Sequence, residues 1–153
     1  MSLTPVAFGA IISNGLLEDR AYAESLMLDT CTITRAGVGQ GPFNDVTGQY
    51  DPPARVTVYA GKCRIQVTSI IANSTSTTAG EREITVQGSE LQLPVIAGEG
   101  DTGSTGDVSI KDVAHIDTCV LDPELAGREF TISARHEKSQ ATSRRHRVTE
   151  ATG

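Results

Sequence analysis

At 153 residues the chain is one domain's worth, and 19 acidic against 13 basic side chains give it a formal charge of −6, a balance that argues against broad phosphate-gripping as its main task. Hydrophobic residues make up 38% and aromatics only 4%, with no Trp, so the core has to be built from Val, Ile, Leu and Ala. Three cysteines, an odd number without a close pair, argue against a disulfide framework and for a reducing compartment.

The apolar run at 6–12 is short, and no Lys or Arg precedes it as a secretory signal requires. No segment approaches the ~20 apolar residues of a membrane span. The expectation is a soluble protein made in the cytoplasm. Asn14 is a good N-cap, and behind it Leu17, Ala21 and Leu28 fall along one stripe with Leu16, Ala23 and Met27 beside it. Glu18 and Asp19 stand in the first turns, where the helix dipole favours negative charge. One amphipathic helix is predicted over 15–27, either plugging one end of a sheet or docking on a neighbouring subunit.

A strand follows at 29–35, with Cys31 and Ile33 alternating against Thr30, Thr32 and Thr34. Residues 36–53 form a long Gly- and Pro-rich loop closed by Pro52 and Pro53, of a length that tends to be functional or mobile. Residues 54–68 then carry the strand around which the sheet is organised. Its apolar positions are Val56, Val58 and Ala60, then Cys63, Ile65 and Val67. The parity flips at Gly61-Lys62, which predicts a bulge there, and a bulged strand bends and closes a small barrel.

Residues 69–83 are dominated by Ser, Thr, Ala and Gly and read as a flexible excursion. Ile84, Val86, Leu91, Leu93 and Val95 alternate about Gly88-Ser89, which fits a two-residue turn of a hairpin or, nearly as well, one long strand bulged at Gly88. A Gly-rich loop at 97–106 precedes the short run Val108-Ser109-Ile110, a strand over 114–121, a turn at 122–127, a strand holding Phe130, Ile132 and Ala134, and a last strand over 144–150. The fold class expected is all-β. It is a single domain over 1–153: a small bulged barrel of roughly six to eight strands at about 28–150, with long flexible loops at 36–53, 69–83 and 97–106 and one N-terminal α-helix.

The chemical motifs are weak. Gly98-Glu99-Gly100-Asp101-Thr102-Gly103 matches a dinucleotide fingerprint in letters, but a helix must open behind that motif and its amides must meet a pyrophosphate. Here Glu99 and Asp101 place negative charge at the phosphate position, and a strand follows. Cys31, Cys63 and Cys119 with His115, His136 or His146 include no CxxC or HxxxH pair to nucleate zinc. Cys63 and Cys119 sit in strand patterns and read as small buried hydrophobes. No Ser occupies a Gly-x-Ser-x-Gly elbow and no carboxylate pair has a recognisable frame. No catalytic residue, cofactor or metal is therefore expected, and no enzyme activity. The one charge asymmetry is the basic cluster of Arg135, His136, Lys138, Arg144, Arg145, His146 and Arg147. It reads either as a solvated strand face or as a contact with an acidic partner; without interleaved aromatics it is a poor platform for single strands.

The order of short words along the chain carries a resemblance. The helix runs into Ser25-Leu26-Met27-Leu28-Asp29-Thr30-Cys31-Thr32-Ile33-Thr34-Arg35, followed by Asp45-Val46-Thr47-Gly48 and Val58-Tyr59-Ala60-Gly61-Lys62-Cys63-Arg64-Ile65. Leu91-Gln92-Leu93-Pro94-Val95, Gly106-Asp107-Val108, Asp122-Pro123, Gly127-Arg128-Glu129-Phe130 and Thr142-Ser143-Arg144-Arg145-His146-Arg147-Val148 continue it. This series resembles the head-to-tail connector proteins of long-tailed bacteriophages, of the head-closure or stopper type found in the neck.

That resemblance implies a small β-barrel assembling into a closed ring of about six copies at the head-tail interface of the virion, built in the bacterial cytoplasm. Its partners would be itself, the portal-adaptor ring, and the tail terminator or tail tube, with double-stranded DNA in the lumen held without sequence specificity and no membrane. The ring would retain packaged DNA and open at ejection; the negative charge agrees, since a basic lumen would hold phosphates. Ser69, Ile70, Ile71, Asn73, Thr75, Thr77, Gly80 and Glu81 form the first candidate for a lumen or inter-ring loop, 36–53 the second, and Arg135, Lys138, Arg144, Arg145 and Arg147 the candidate partner contact. The alternatives are a tail terminator or an adaptor, the latter expected to be largely helical, an OB-type nucleic-acid barrel, and a barrel enzyme or small-ligand carrier with a deep polar pocket.

Overall fold

The computed structural model describes residues 5–69 and 87–151. Its elements are the helix α1 (Pro5–Ser25) and the strands β1 (Asp29–Arg35), β2 (Phe43–Asn44), β3 (Gln49–Tyr50), β4 (Val56–Ser69), β5 (Gln87–Leu93), β6 (Thr102–Gly103), β7 (Val113–Thr118), β8 (Glu129–His136) and β9 (Arg144–Glu150). Six of the strands close an antiparallel barrel in the order β1-β7-β8-β9-β5-β4 and back to β1, with β6 added outside on β4. Closure leaves no free edge among the six and explains how a chain with three Phe and no Trp shields its backbone.

The long β4 does what its length suggests. Its first half pairs with β1 from Val56 to Cys63, and its second half with β5 from Arg64 to Ser69. The bulge falls at Val58, not at Gly61-Lys62: Ile33 lies opposite Tyr59 and Thr34 opposite Thr57, so Val58 is the extra residue. Tyr59 is the reason. Its ring is fully buried, as is Cys63, so the inward positions are odd from Tyr59 on. Reading only aliphatic residues set Val56, Val58 and Ala60 inward; Val56 is in fact exposed, while Val58, the bulged residue, is half-buried against the core.

The core gathers Cys31 and Ile33 from β1, Tyr59 and Cys63 from β4, Leu91 and Leu93 from β5, Ala114 and Ile116 from β7, Phe130 and Ile132 from β8, and Val148 from β9. Val108 joins it from a loop. The short run Val108-Ser109-Ile110 does not form a strand. A 3-10 turn at Thr105–Asp107 leads into it, Val108 alone is buried, and Ile110 is exposed. Gly88-Ser89 does not turn either: both lie within β5, opposite Thr68 and Val67 in unbroken register. The long-strand alternative holds for β5, without a bulge at Gly88; Ile84 and Val86 lie outside the described residues.

The helix begins ten residues before the predicted start. Asn14 lies inside it, and the Ser13 hydroxyl donates back to Ala10 O (3.0 Å) as helix-interior serines do. The run at 6–12 is helical enough to override the cap signal and the two interior glycines, each worth ~1 kcal/mol against the helix. No helix among the described residues is long and apolar enough to cross a membrane. The helix is tied to the β8–β9 turn by Arg20 Nε donating to Ala141 O (3.0 Å). Asp19, Ala23 and Leu26 face Arg64, Gln92 and Arg145 across a groove of about 330 Å3, while Ile11, Leu17 and Tyr22 stay exposed.

Candidate functional site

One end of the barrel is closed by the loop with the dinucleotide-like spacing. Asp101 turns its carboxylate inward and accepts from Gly98 N (2.9 Å), Lys62 N (3.3 Å) and the Tyr59 hydroxyl (3.2 Å), which also donates to Lys62 O (2.9 Å). Burial, and then the nearby Asp101 charge, push the Tyr59 phenol above its ordinary range, so it stays a donor. Gly61 is required there: a Cβ on it would overlap the Asp101 carboxylate and lie 2.7 Å from the Tyr59 hydroxyl. Behind Asp101 the chain enters β6, where Gly103 holds φ +80° and a Cβ would overlap Val58 O. The Gly-rich loop is thus a strap whose own aspartate occupies the Gly98 amide and that of Lys62 on β4, and it leads into β6 rather than into a helix that could receive a phosphate.

The basic cluster is divided by strand parity. On β9 His146 and Val148 are buried, Arg144 is half-buried, and Arg145 and Arg147 point outward. On β8 a bulge at Ser133 shifts the pairing from Ile132 opposite Val148 to Arg135 opposite His146, and turns Arg135 half inward. Lys138 is exposed in the β8–β9 turn. Arg135 Nη2 donates to Gly106 O (3.3 Å) and meets Glu137 (2.5 Å); Arg144 Nε donates to Val95 O (3.2 Å). Arg145 faces Glu90 at 3.8 Å. The seven residues of the cluster therefore do not form one face: Arg135, Arg144 and His146 belong to the strapped end, the rest to the outside.

His146 is 2% exposed, and neither ring nitrogen has a hydrogen-bond partner among the described residues. Burial, with Arg135, Arg144 and His136 adding like charge, lowers its pKa to about 4, so the ring is neutral at pH 7. An unpaired buried polar group costs about 1–3 kcal/mol. Beside it Asp112, 1% exposed, takes a two-pronged bond from Arg35 (Nε to Oδ1 2.8 Å, Nη2 to Oδ2 2.9 Å) and a third from Ser109 N (2.8 Å). Arg35 Nη2 also donates to Asp107 O (2.6 Å), clamping the strap from the β1 side. Sequence reasoning found none of these inward polar groups, because a charge in an alternating strand reads as outward-facing.

Residues 36–53 hold a protruding arm. The β2–β3 hairpin pairs Phe43 with Tyr50, their rings packed edge to face at 5.2 Å. Asn44 Oδ1 accepts from Val46 N (3.0 Å) and Thr47 N (3.3 Å), and Gly48 closes the turn at φ +69°. Its apolar side chains face solvent: Val38 is 99% and Val46 95% exposed, with Phe43 and Tyr50 above half. Of the first candidate loop, Ser69 ends β4 opposite Gln87; Ile70, Ile71, Asn73, Thr75, Thr77, Gly80 and Glu81 lie outside the described residues.

Catalytic geometry does not emerge from the scattered polar groups. Asp117 binds both Thr32 Oγ1 (2.7 Å) and His115 Nδ1 (2.9 Å) on the exposed face, which places the hydroxyl on the carboxylate, whereas nucleophile activation needs it on the imidazole. Cys31 and Cys63 are buried in the core and Cys119 half-buried, all free thiols. A hydrogen bond with Cys31, then burial, pushes the Cys63 thiol far above its ordinary range, which makes it inert. Among the described residues no group of three or more His, Cys, Asp or Glu is placed to hold a metal.

Residues 19–149 match a protein family described as a family of unknown function, DUF6093, and the chain belongs to that family. No curated protein and no solved structure matches it.

Proposed function

We propose that this DUF6093 member is a non-enzymatic virion structural protein: a stopper-type connector that forms a closed ring in the neck of a long-tailed bacteriophage, retains packaged DNA and joins the portal-adaptor ring to the tail. The observation that carries this reading is where the apolar surface lies. The barrel interior is filled by side chains, while Ile11, Leu17 and Tyr22 on α1 and Val38, Phe43, Val46 and Tyr50 on the arm face solvent. Val56, Ile96, Val120 and Leu121 are exposed as well, so apolar side chains face solvent on the helix, on the arm and on the barrel's own surface, and such groups have a use when neighbours cover them. Head-to-tail contacts between copies through such surfaces would close into a ring where the rotation between neighbours closes.

The adaptor alternative expects a mainly helical chain, whereas this one has a single α-helix among its described residues. The nucleic-acid barrel needs aromatic stacking positions on a basic face; the arm's Phe43 and Tyr50 pack on each other beside Asp45 and Asp51 instead. Inactivating the gene in its own virus tests the reading. The expected result is heads that package and then lose DNA, with unattached tails, rescued by the gene in trans. Normal, infectious particles from the inactivated virus would overturn it.

A further inference from the structure

At the strapped end of the barrel, buried polar groups without partners among the described residues converge. Arg135 Nε is buried and unpartnered, and so are both nitrogens of His146, directly opposite it on β9. Arg144, two residues before His146, uses only Nε, on Val95 O, among the described residues. The two guanidiniums meet at Gly106: Arg135 Nη2 donates to its carbonyl, and a Cβ there would lie 3.5 Å from Arg144 Nη2. The nearby carboxylates are engaged, Asp112 by Arg35 and Ser109 N, and Glu137 by Arg135 Nη2. Among the described residues Arg144 therefore has a positive charge with no counter-ion, beside an imidazole and a guanidinium N–H without partners.

We propose that this corner is a binding site for an oxyanion, a carboxylate or a small tetrahedral anion, which accepts from Arg135 Nε, His146 and the Nη atoms of Arg144. Charge-assisted bonds to a guanidinium are the strong class, and the two prongs of Arg144 match either ligand. Arg144 also lines a depression of about 450 Å3 at the β8–β9 turn, with His136, Glu137, Lys138, Ser139 and Ala141, and the Glu137 carboxylate there is paired with Arg135 Nη2. In an acidic chain such a corner selects anions locally, because the rest of the surface repels them. The bound anion favours the protonated imidazole. The groups facing His146 that set its charge are Arg135 and His136 on β8, Arg144 on its own strand and Asp112 before β7; of these only Asp112 is negative, and it is committed to Arg35.

The test is a pH titration of the His146 ring signals by NMR on the full chain, in chloride, sulfate and acetate at equal ionic strength. Occupation by sulfate raises the His146 midpoint from about 4 by about one pH unit or more, and by linkage the anion binds about tenfold tighter to the protonated form, so binding strengthens mainly as pH falls from about 6 to about 3. A response to sulfate alone identifies a tetrahedral ligand; a response to acetate as well identifies a carboxylate, such as a partner's side chain. Arg144→Gln weakens sulfate binding about tenfold, whereas Arg147→Gln, outward on the same strand, leaves it unchanged. An identical midpoint in all three salts would mean that water fills the corner, and would overturn the proposal whether or not the Arg144 variant folds. Equal loss in the Arg147 variant would reduce it to diffuse surface charge.

Discussion

Replacing Gly61 by alanine sets a methyl group on the Asp101 carboxylate, and this pair allows the closure of the barrel end to be measured. Asp101 accepts three hydrogen bonds, from Gly98 N, Lys62 N and the Tyr59 hydroxyl. At ~1 kcal/mol each, the figure for an ordinary hydrogen bond, Asp101→Ala costs ~3 kcal/mol. Gly61→Ala expels the same carboxylate and loses the same bonds. It recovers ~0.5–1 kcal/mol from reduced freedom in the unfolded chain, since Gly61 has no positive φ, for a net cost of ~2 kcal/mol. Once Asp101 is alanine the new methyl still meets the Tyr59 hydroxyl, the far end of a side chain that can give way, so the double variant loses about as much as Asp101→Ala alone, and the coupling amounts to ~2 kcal/mol. Urea unfolding of the wild type, the two single variants and the double variant gives the four free energies. Single-variant losses that simply add, within ~0.5 kcal/mol, would refute the strap as described.

Gly103→Ala should destabilise by ~2 kcal/mol or more, from the positive φ and the overlap with Val58 O, while Gly48→Asn, whose φ of +69° asparagine tolerates and whose Cβ meets open space, should stay within ~0.5 kcal/mol; thermal melts compare them. The His146 pKa is lowered to about 4 in the folded chain, against an unfolded value near 6.5. Its contribution to stability is therefore fully present above pH 6.5 and lost as pH falls through 4, on the order of 3 kcal/mol in all. His146→Leu should flatten that part of the acid-unfolding curve in chloride buffer; an unchanged acid limb would refute the assignment. Phe43→Ala and Tyr50→Ala on the arm should leave barrel stability within ~0.5 kcal/mol yet impair assembly into particles, as complementation of the inactivated virus reads out.

Much of the barrel was legible because small β-branched residues alternate cleanly. The Thr-Cys-Thr-Ile-Thr run of β1 and the His-Arg-Val run of β9 gave strands with the observed bounds. The illegible parts are those that depend on a distant residue. Tyr59 faces inward because Asp101, 42 positions later, receives its hydroxyl. Gly61 looked like a bulge glycine when it is a cavity for that carboxylate. The bulge at Val58 and the buried Asp112 follow from β1 neighbours, Ile33 and Arg35, that no local window contains. At the candidate site the same limit applied: composition located the basic cluster, but only pairing with β8 shows that His146 and Arg144 turn inward and Arg145 and Arg147 out.

The central claim is that this chain is a ring-forming part of a virus particle, and electron cryomicroscopy of the intact virion neck tests it most directly. The account predicts a ring of barrels of this fold between the portal-adaptor complex and the tail, with α1 and the β2–β3 arm buried against neighbouring subunits. A neck in which no ring density accommodates this barrel, with the chain missing from purified virions, would contradict it.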